Sequence, residues 1–487
     1  MLSTTACLLD WGSTVGHMAS TTLNLIYFVV VVVTIVYVIL DNRNPVRTIA
    51  WVLVLMFLPL IGLLLYFLFG RKRRRATIIG RKLYDKLIKK SLAEYNKPEP
   101  VVLPLDYSRL IYLLSNTGQS FPFDGNRIET YTSGADMVLS LIRELSRAKD
   151  HIHLQFYIFE DDAVGRLIRD VLIDRARAGV IVRVLYDDVG CWRVPHAFFE
   201  RMKEEGIEVV SFLKVRFPLF TGKVNYRNHR KIVVIDGKVG FIGGMNLAQR
   251  YVTGTSWGKW RDTHLKISGR AVHGLQTTFL YDWYVIDRTQ LTARRYFPTI
   301  APSEGGAVVQ VVTGNPVAQW TGIEQGVCML LHSAKRYFYM QTPYFLPTET
   351  VLTAMQTAAL SGVDVRLMIP RRADGWLTHM GSCSYIADVL RAGVKVYFYL
   401  PGFLHSKLMV SDDKFSTVGS TNIDFRSFEH NFEANAFVYD EATALHLRRV
   451  FLNDQHDCEP VYLKNWTKRP WRRKATESVI RLMAPLL

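Results

Sequence analysis

Two short stretches of the chain carry the same reactive side chains at the same spacing. His229, Lys231 and Asp236 form the pattern H-x-K-x-x-x-x-D, and His405, Lys407 and Asp412 form it again. A glycine and an asparagine follow at matched offsets. Gly243 and Asn246 lie 14 and 17 residues after the first histidine, and Gly419 and Asn422 lie 14 and 17 after the second. One such pattern is weak evidence; two with matched offsets are strong evidence. On a strand, positions i and i+2 project from one face. His229 and Lys231 therefore point together, as do His405 and Lys407. If the two segments pack about a pseudo-twofold axis, two imidazoles and two ammonium groups converge. One imidazole can attack phosphorus; the other can protonate the leaving alcohol and then deprotonate the incoming one. Lys231, Lys407, Asn246 and Asn422 are candidates to bind the phosphate oxygens as negative charge builds. This chemistry needs no metal ion and no cofactor, and none is expected.

A nucleophilic imidazole needs its second nitrogen held by an acid, which fixes tautomer and orientation. Asp262 lies 33 residues after His229, and Glu433 lies 28 after His405. They occupy similar places in the two halves and are the candidate histidine-orienting carboxylates. Asp236 and Asp412 complete the repeated catalytic motif. Their place near a strand end and a turn suits fixing a loop better than chemistry.

The elements around the motifs repeat as well. Arg147-Ala148-Lys149 leads into the apolar run His151 to Tyr157, and Ser333-Ala334-Lys335 leads into Tyr337 to Pro343. Gly179-Val180-Ile181-Val182-Arg183-Val184 matches Gly362-Val363-Asp364-Val365-Arg366-Leu367. Alternating helical and strand periodicities imply an α/β fold class built from two similar domains, over 101–300 and 301–487. Phe159 to Arg177 reads as a helix with Val164, Leu167, Ile168, Val171 and Leu172 on one face. Ile232 to Ile235 and Leu408 to Val410 read as short buried strands. The boundary between the domains is expected near Thr299 to Gly306, where Pro302 and two glycines break the pattern.

The N-terminal part has a different character. Two uncharged apolar runs, over 21–40 and 48–69, are each long enough as a helix to cross a hydrocarbon core of about 30 Å. The short polar link between them implies a transmembrane hairpin over 1–70. The following segment, 71–100, is basic, with ten Lys or Arg between Arg71 and Lys90, against Arg43 and Arg47 in the link. The positive-inside rule then puts the body of the protein on the cytoplasmic side. The first twenty residues lack the Lys or Arg of a signal peptide, so the hairpin is expected to be retained. Two apolar stretches beside the motifs, Phe212 to Phe220 and Pro401 to Leu404, read either as bilayer contacts or as ordinary core. Trp466 to Arg473 mixes Trp and Arg, which suits an interfacial position or a solvated basic face.

Sixty basic and 43 acidic residues give a formal charge of +17, which suits an anionic partner without choosing one. The five cysteines are odd in number and form no CxxC, which argues against a disulfide framework or a zinc site.

The paired motifs resemble the HKD motifs of the phospholipase D superfamily. Gly419-Ser420-Thr421-Asn422-Ile423-Asp424-Phe425-Arg426-Ser427, followed by Asn431-Phe432-Glu433, is similar to the second-motif signature of bacterial cardiolipin synthases. Ile49 to Arg71 and the C-terminal Glu477 to Leu487 are similar to theirs too. The resemblance implies two tandem phospholipase D domains sharing one active site, in a multi-pass protein of the bacterial cell membrane. It implies an anionic phospholipid substrate, phosphatidylglycerol, and transfer of a phosphatidyl group from one molecule to another through a phosphatidyl-histidine. No nucleic acid partner is expected. Spacing does not say which histidine attacks; family analogy favours His229, with His405 as acid and base. The alternative is a phosphodiesterase of the same superfamily that uses water as acceptor.

Overall fold

The computed structural model describes residues 22, 25–40, 45–66, 105–118, 120–214, 226–301 and 306–486. The chain forms two units, Met1–Arg74 and Arg75–Leu487.

In the first unit, residues 25–40 are helical, as are Pro45–Phe57 and Pro59–Leu65. Val38, Leu55 and Tyr66 are buried together, and the Trp51 ring meets Tyr66 edge-on at 5.4 Å. Most other side chains, including Phe28, Val33, Leu40, Met56 and Leu60, expose apolar surface. The run expected as one helix over 48–69 is broken at Leu58. The physical reason is Pro59, which lacks an N–H to continue the preceding turn and starts a new helix instead. Among the described residues no helix is long and apolar enough to cross a membrane. The first twenty residues, residues 41–44 of the link, 67–69 of the second run and the basic segment 71–100 lie outside the described residues.

The second unit is built on one 15-stranded sheet. Its first half comprises β1 (Pro122–Tyr131), β2 (His151–Phe156), β3 (Ile181–Asp187), β4 (Glu208–Phe212), β5 (Ile232–Ile235), β6 (Val239–Gly243) and β8 (His264–Ser268), with β7 (Lys259–Arg261) outside the sheet. The second half comprises β9 (Ala307–Gly314), β10 (Tyr337–Gln341), β12 (Asp364–Pro370), β13 (Lys395–Tyr399), β15 (Leu408–Ser411), β16 (Phe415–Gly419), β18 (Glu433–Tyr439) and β19 (Cys458–Val461). Three short strands of this half lie outside the sheet: β11 (Phe345–Leu346), β14 (Gly402–Leu404) and β17 (Ile423–Asp424). From the centre outward, one side runs β1-β8-β6-β5-β2-β3-β4. The other runs β9-β18-β16-β15-β10-β12-β13-β19. Apart from β19 the two orders are equivalent, so a pseudo-twofold axis passes between β1 and β9.

The central strand pair holds the halves together. β1 and β9 run antiparallel with a register slip between Phe123 and Asn126. The buried Asn126 amide fills the slip, donating to Phe123 O at 2.7 Å and Ala307 O at 3.0 Å and accepting from the Ala271 N–H at 2.8 Å. The helix Leu105–Gly118, expected within the first repeat, packs on the second half. Leu110, Ile111 and Leu114 share a core with Val312, Ile323 and Val327.

Strand β2 is buried at every position, as are β5 and β15. This is the signature of strands covered on both faces. The helix expected from Phe159 starts later, spanning Ala163–Arg177, because the Asp162 carboxylate caps it through the Gly165 N–H at 2.9 Å. Val164, Ile168, Leu172 and Ile173 face the core and Val171 packs against it half-buried, whereas Leu167 is exposed.

Asp236 and Asp412 each end a motif strand in a left-handed conformation, with φ of 53° and 54°. The Asp236 carboxylate accepts the N–H groups of Lys149, Asp150 and His151 at 2.9, 2.8 and 3.0 Å. Asp412 does the same for Lys335, Arg336 and Tyr337 at 2.7, 2.9 and 2.9 Å. Each thus ties the end of its motif strand to the start of the neighbouring antiparallel strand. Removing such an acceptor strands three N–H groups. Asp236→Ala is expected to lower unfolding stability by about 1–3 kcal/mol in denaturant titration.

Candidate active site

A cavity of about 600 Å³ opens where the two halves meet, and both motif histidines line it. Each histidine is placed by backbone pairing with the other half. The His229 N–H donates to Phe432 O at 2.9 Å, and the Phe432 N–H donates to Arg227 O at 2.8 Å. The His405 N–H donates to Arg261 O at 2.7 Å, at the end of the parallel β14–β7 pair. In both cases the residue that follows the paired one, Glu433 after Phe432 and Asp262 after Arg261, is the partner half's carboxylate. The consequence is an exchange: His229 Nδ1 lies 3.0 Å from Glu433, and His405 Nδ1 lies 2.6 Å from Asp262. Both nominated carboxylates are fully buried and both contact a histidine. Each serves the histidine of the opposite half.

The glycines at matched offsets have a steric reason. A Cβ on Gly243 would stand 2.5 Å from the His264 Cα, and one on Gly419 would stand 2.2 Å from Asn435 Oδ1. The next position differs between the halves with effect. Gly244 leaves room for the Asp262 carboxylate, which a Cβ would meet at 2.2 Å. Its counterpart Ser420 donates its hydroxyl to Glu433. Burial alone would raise the Glu433 carboxyl, but His229, Lys231 and Ser420 outweigh it and hold the group below the usual range. Burial pushes Asp262 up, opposed by Lys407.

Lys231 and Lys407 are wholly buried behind the histidines, and each ammonium donates to the carbonyl of its own motif histidine. Burial drives Lys231 well below the usual amine range and Lys407 down to about 8, against the pull of the buried carboxylates. Asn246 and Asn422 reach the cavity. The Asn246 amide is held between the Tyr251 hydroxyl at 2.7 Å and the Ile158 N–H at 3.1 Å. Asp236 and Asp412 are not brought to the cavity. Although they belong to the repeated motif, their backbone ties at the far strand ends fit the loop-fixing place expected of them. Of the suspected bilayer contacts, Phe212, Phe403, Leu404 and Trp466 are core residues, with Trp466 beneath the Arg469 guanidinium. Residues 215–220 lie outside the described residues.

Sequence reasoning missed the groups that hold the carboxylates. Arg230 donates Nε–H to Glu433 O at 2.9 Å and is held by Asp282 at 2.6 Å. Gln155 donates to the same Asp282 at 2.5 Å. The second half repeats this with other letters. Arg261 donates to Asp262 O and pairs with Asp454 at 2.8 Å, and Gln341 donates to Asp454 at 2.8 Å. Gln155 and Gln341 fall at equivalent places in the repeated runs, which was the available signal. The arginines come from non-equivalent positions and left none.

Two measurements follow from this arrangement. Asp282→Ala would leave the buried Arg230 without a counter-charge and lower stability by about 3–5 kcal/mol in denaturant unfolding. His229 is neutral in the folded chain, because burial and then Lys231 and Lys407 push its imidazole down to about 4, against the pull of Glu433. An unfolded histidine titrates near 6.5, so the unfolded chain takes this proton first. The stability tied to neutral His229 is full above about pH 6.5 and is lost as pH falls through 4. His229→Gln should flatten the dependence of the unfolding midpoint on pH within that window.

The chain can be set beside known proteins. A family model described as "Cardiolipin synthase, PLD-like domain" matches residues 141–283 and 327–455. One described as "Phospholipase_D-nuclease N-terminal" matches residues 29–71. The chain is 41% identical over 456 residues to a cardiolipin synthase of Geobacillus kaustophilus, covering 92% of this chain and 90% of that protein. It is 37% identical to the major cardiolipin synthase of Bacillus subtilis, covering 96% of this chain and 99% of that one. The fold is similar to the crystal structure of phosphatidylserine synthase from Haemophilus influenzae. The TM-score is 0.61 at 15% identity, over 78% of this chain and 100% of that one.

Proposed function

The chain belongs to the cardiolipin synthases of the phospholipase D-like family, phosphatidyltransferases acting on phospholipid, and we propose that both its substrates are phosphatidylglycerol. The supporting observation is the crossed pair of imidazole–carboxylate contacts on one cavity. It presents two histidines with their Nδ1 atoms occupied and their Nε2 atoms available. His229 Nε2 attacks the phosphorus of one phosphatidylglycerol. The bond from phosphorus to the glycerol headgroup oxygen breaks, and His405 gives that oxygen a proton. Glycerol leaves and a phosphatidyl-histidine remains. His405 then takes the proton from a hydroxyl of the second phosphatidylglycerol, whose oxygen attacks phosphorus. The P–N bond breaks, freeing His229 and cardiolipin. A phosphorylated imidazole that keeps its Nδ1–H carries positive charge, and the ionised, Ser420-bound Glu433 suits that state. This favours His229 over His405 as nucleophile.

Burial and the charges of Lys407 and Lys231 push His405 well below its usual range. An anionic phosphodiester brings the opposite charge, which favours the protonated imidazole needed for the first step. Lys231, Lys407, Asn246 and Asn422 bind the phosphate oxygens as charge develops.

We read the chain as an N-terminal hairpin over 1–70, a basic linker over 71–100, and phospholipase D repeats over 101–300 and 301–487. The hairpin anchors the enzyme in the bacterial cell membrane with the repeats on the cytoplasmic side. The apolar side chains exposed on residues 25–40 and 45–65 support an anchoring role.

Product analysis tests the reaction. Purified protein is given labelled phosphatidylglycerol in liposomes, beside His229→Ala and His405→Ala. Cardiolipin and glycerol are expected from the unsubstituted protein alone. Phosphatidic acid in place of cardiolipin would make water the acceptor.

A further inference from the structure

The repeat extends one residue further than the motifs. Arg250 and Arg426 each stand 21 residues after a motif histidine and four after the motif asparagine. Both line the cavity shared by His229 and His405. Their surroundings differ. Arg250 donates to the Glu160 carboxylate at 2.6 Å, and its guanidinium lies 5.3 Å from the Trp260 ring. A third lining arginine, Arg227, faces the buried Asp187 at 3.5 Å. Arg426 is half-buried and, among the described residues, forms no ion pair. Burial pushes the Tyr157 phenol up to about 12, and the Arg426 charge is the larger of the two arginine charges opposing it. The Tyr157 ring stands 5.0 Å from His229, and Tyr157, His229 and Arg426 line the same cavity.

The chemistry asks for such a group. Making cardiolipin brings two phosphodiesters into one site, linked in the product through a single glycerol. Lys231, Lys407 and the histidine pair serve the reacting phosphate, and their charge is already balanced by Glu433 and Asp262. The second phosphate needs another cation. An arginine fork matches phosphate oxygens in pairs, and Arg426 is the arginine of the cavity not committed to a carboxylate. Water and free glycerol carry no charge for it to recognise.

We propose that Arg426 binds the non-reacting phosphodiester of the acceptor phospholipid and so selects a phosphate-bearing alcohol over water or a neutral one. The proposal rests on the transferase reading above. The binding of the acceptor phosphate precedes proton removal by His405 and changes no bond itself.

The test uses the full-length enzyme in phosphatidylglycerol liposomes, with Arg426→Gln and Arg426→Lys. Three rates are measured: cardiolipin formation, release of phosphatidic acid, and exchange of labelled free glycerol into phosphatidylglycerol. The exchange reaction uses the same donor and histidines with a neutral acceptor, and it also reports folding. Arg426→Gln should lower cardiolipin formation roughly tenfold to hundredfold more than it lowers exchange, with a raised KM for phosphatidylglycerol as acceptor and a larger share of phosphatidic acid. Arg426→Lys should recover part of the loss. Equal losses in transfer and exchange, or no loss in either, would overturn the assignment while leaving the transferase standing. An unsubstituted enzyme that makes only phosphatidic acid would instead remove the transferase reading, and this proposal with it.

Discussion

Neither motif histidine takes its carboxylate from its own half. His229 is oriented by Glu433 and His405 by Asp262, across the pseudo-twofold axis in both directions. The rest of the catalytic unit follows from that exchange. The two halves must keep a fixed register to within a fraction of a hydrogen-bond length, so they share one sheet. The β1–β9 seam, the β14–β7 pair and the Asn228–Phe432 bridge are three separate devices holding that register.

The exchange brings costly groups inside. Lys231, Lys407, Asp262 and Glu433 are all at most 1% exposed. Buried charges of this kind seldom add net stability, because desolvation offsets their attraction. The structure meets the cost by giving nearly every one a specific partner. Arg230 and Arg261 hold the carbonyls of the two orienting residues, and Asp282 and Asp454 hold those arginines. The carboxylates are thereby fixed at backbone and side chain alike, and the imidazoles they contact lose their freedom to turn. Stability spent here yields geometry, which phosphoryl transfer uses more than any other resource.

Near-symmetry is also where the two halves acquire different tasks. Gly244 and Ser420 are equivalent in position, yet one makes space and the other donates a hydrogen bond. Arg250 and Arg426 are equivalent, yet among the described residues only the first has a carboxylate partner. A duplicated frame thus supplies two like histidines, and small substitutions around them give the two sides of the cavity different surroundings.

The sequence by itself determined the reactive set and the duplicated α/β frame. His229, Lys231, His405, Lys407, both asparagines and both carboxylates were legible because local spacing fixes which side chains share a strand face, and repetition marks them twice. It also gave the strands β5 and β15, whose unbroken apolar runs admit one reading. Tertiary structure alone decided which carboxylate meets which histidine, because parallel pairing between halves has no trace in local periodicity. It supplied the N–H groups that Asp236 and Asp412 hold, because the strand start each one meets is more than 70 residues away in the chain. It recruited Arg230 and Arg261 from unmatched positions, because a long guanidinium can reach one carbonyl from different backbones. Spacing along the chain constrains neighbours on one element; contacts between distant elements depend on how those elements pack, and only the folded chain fixes that.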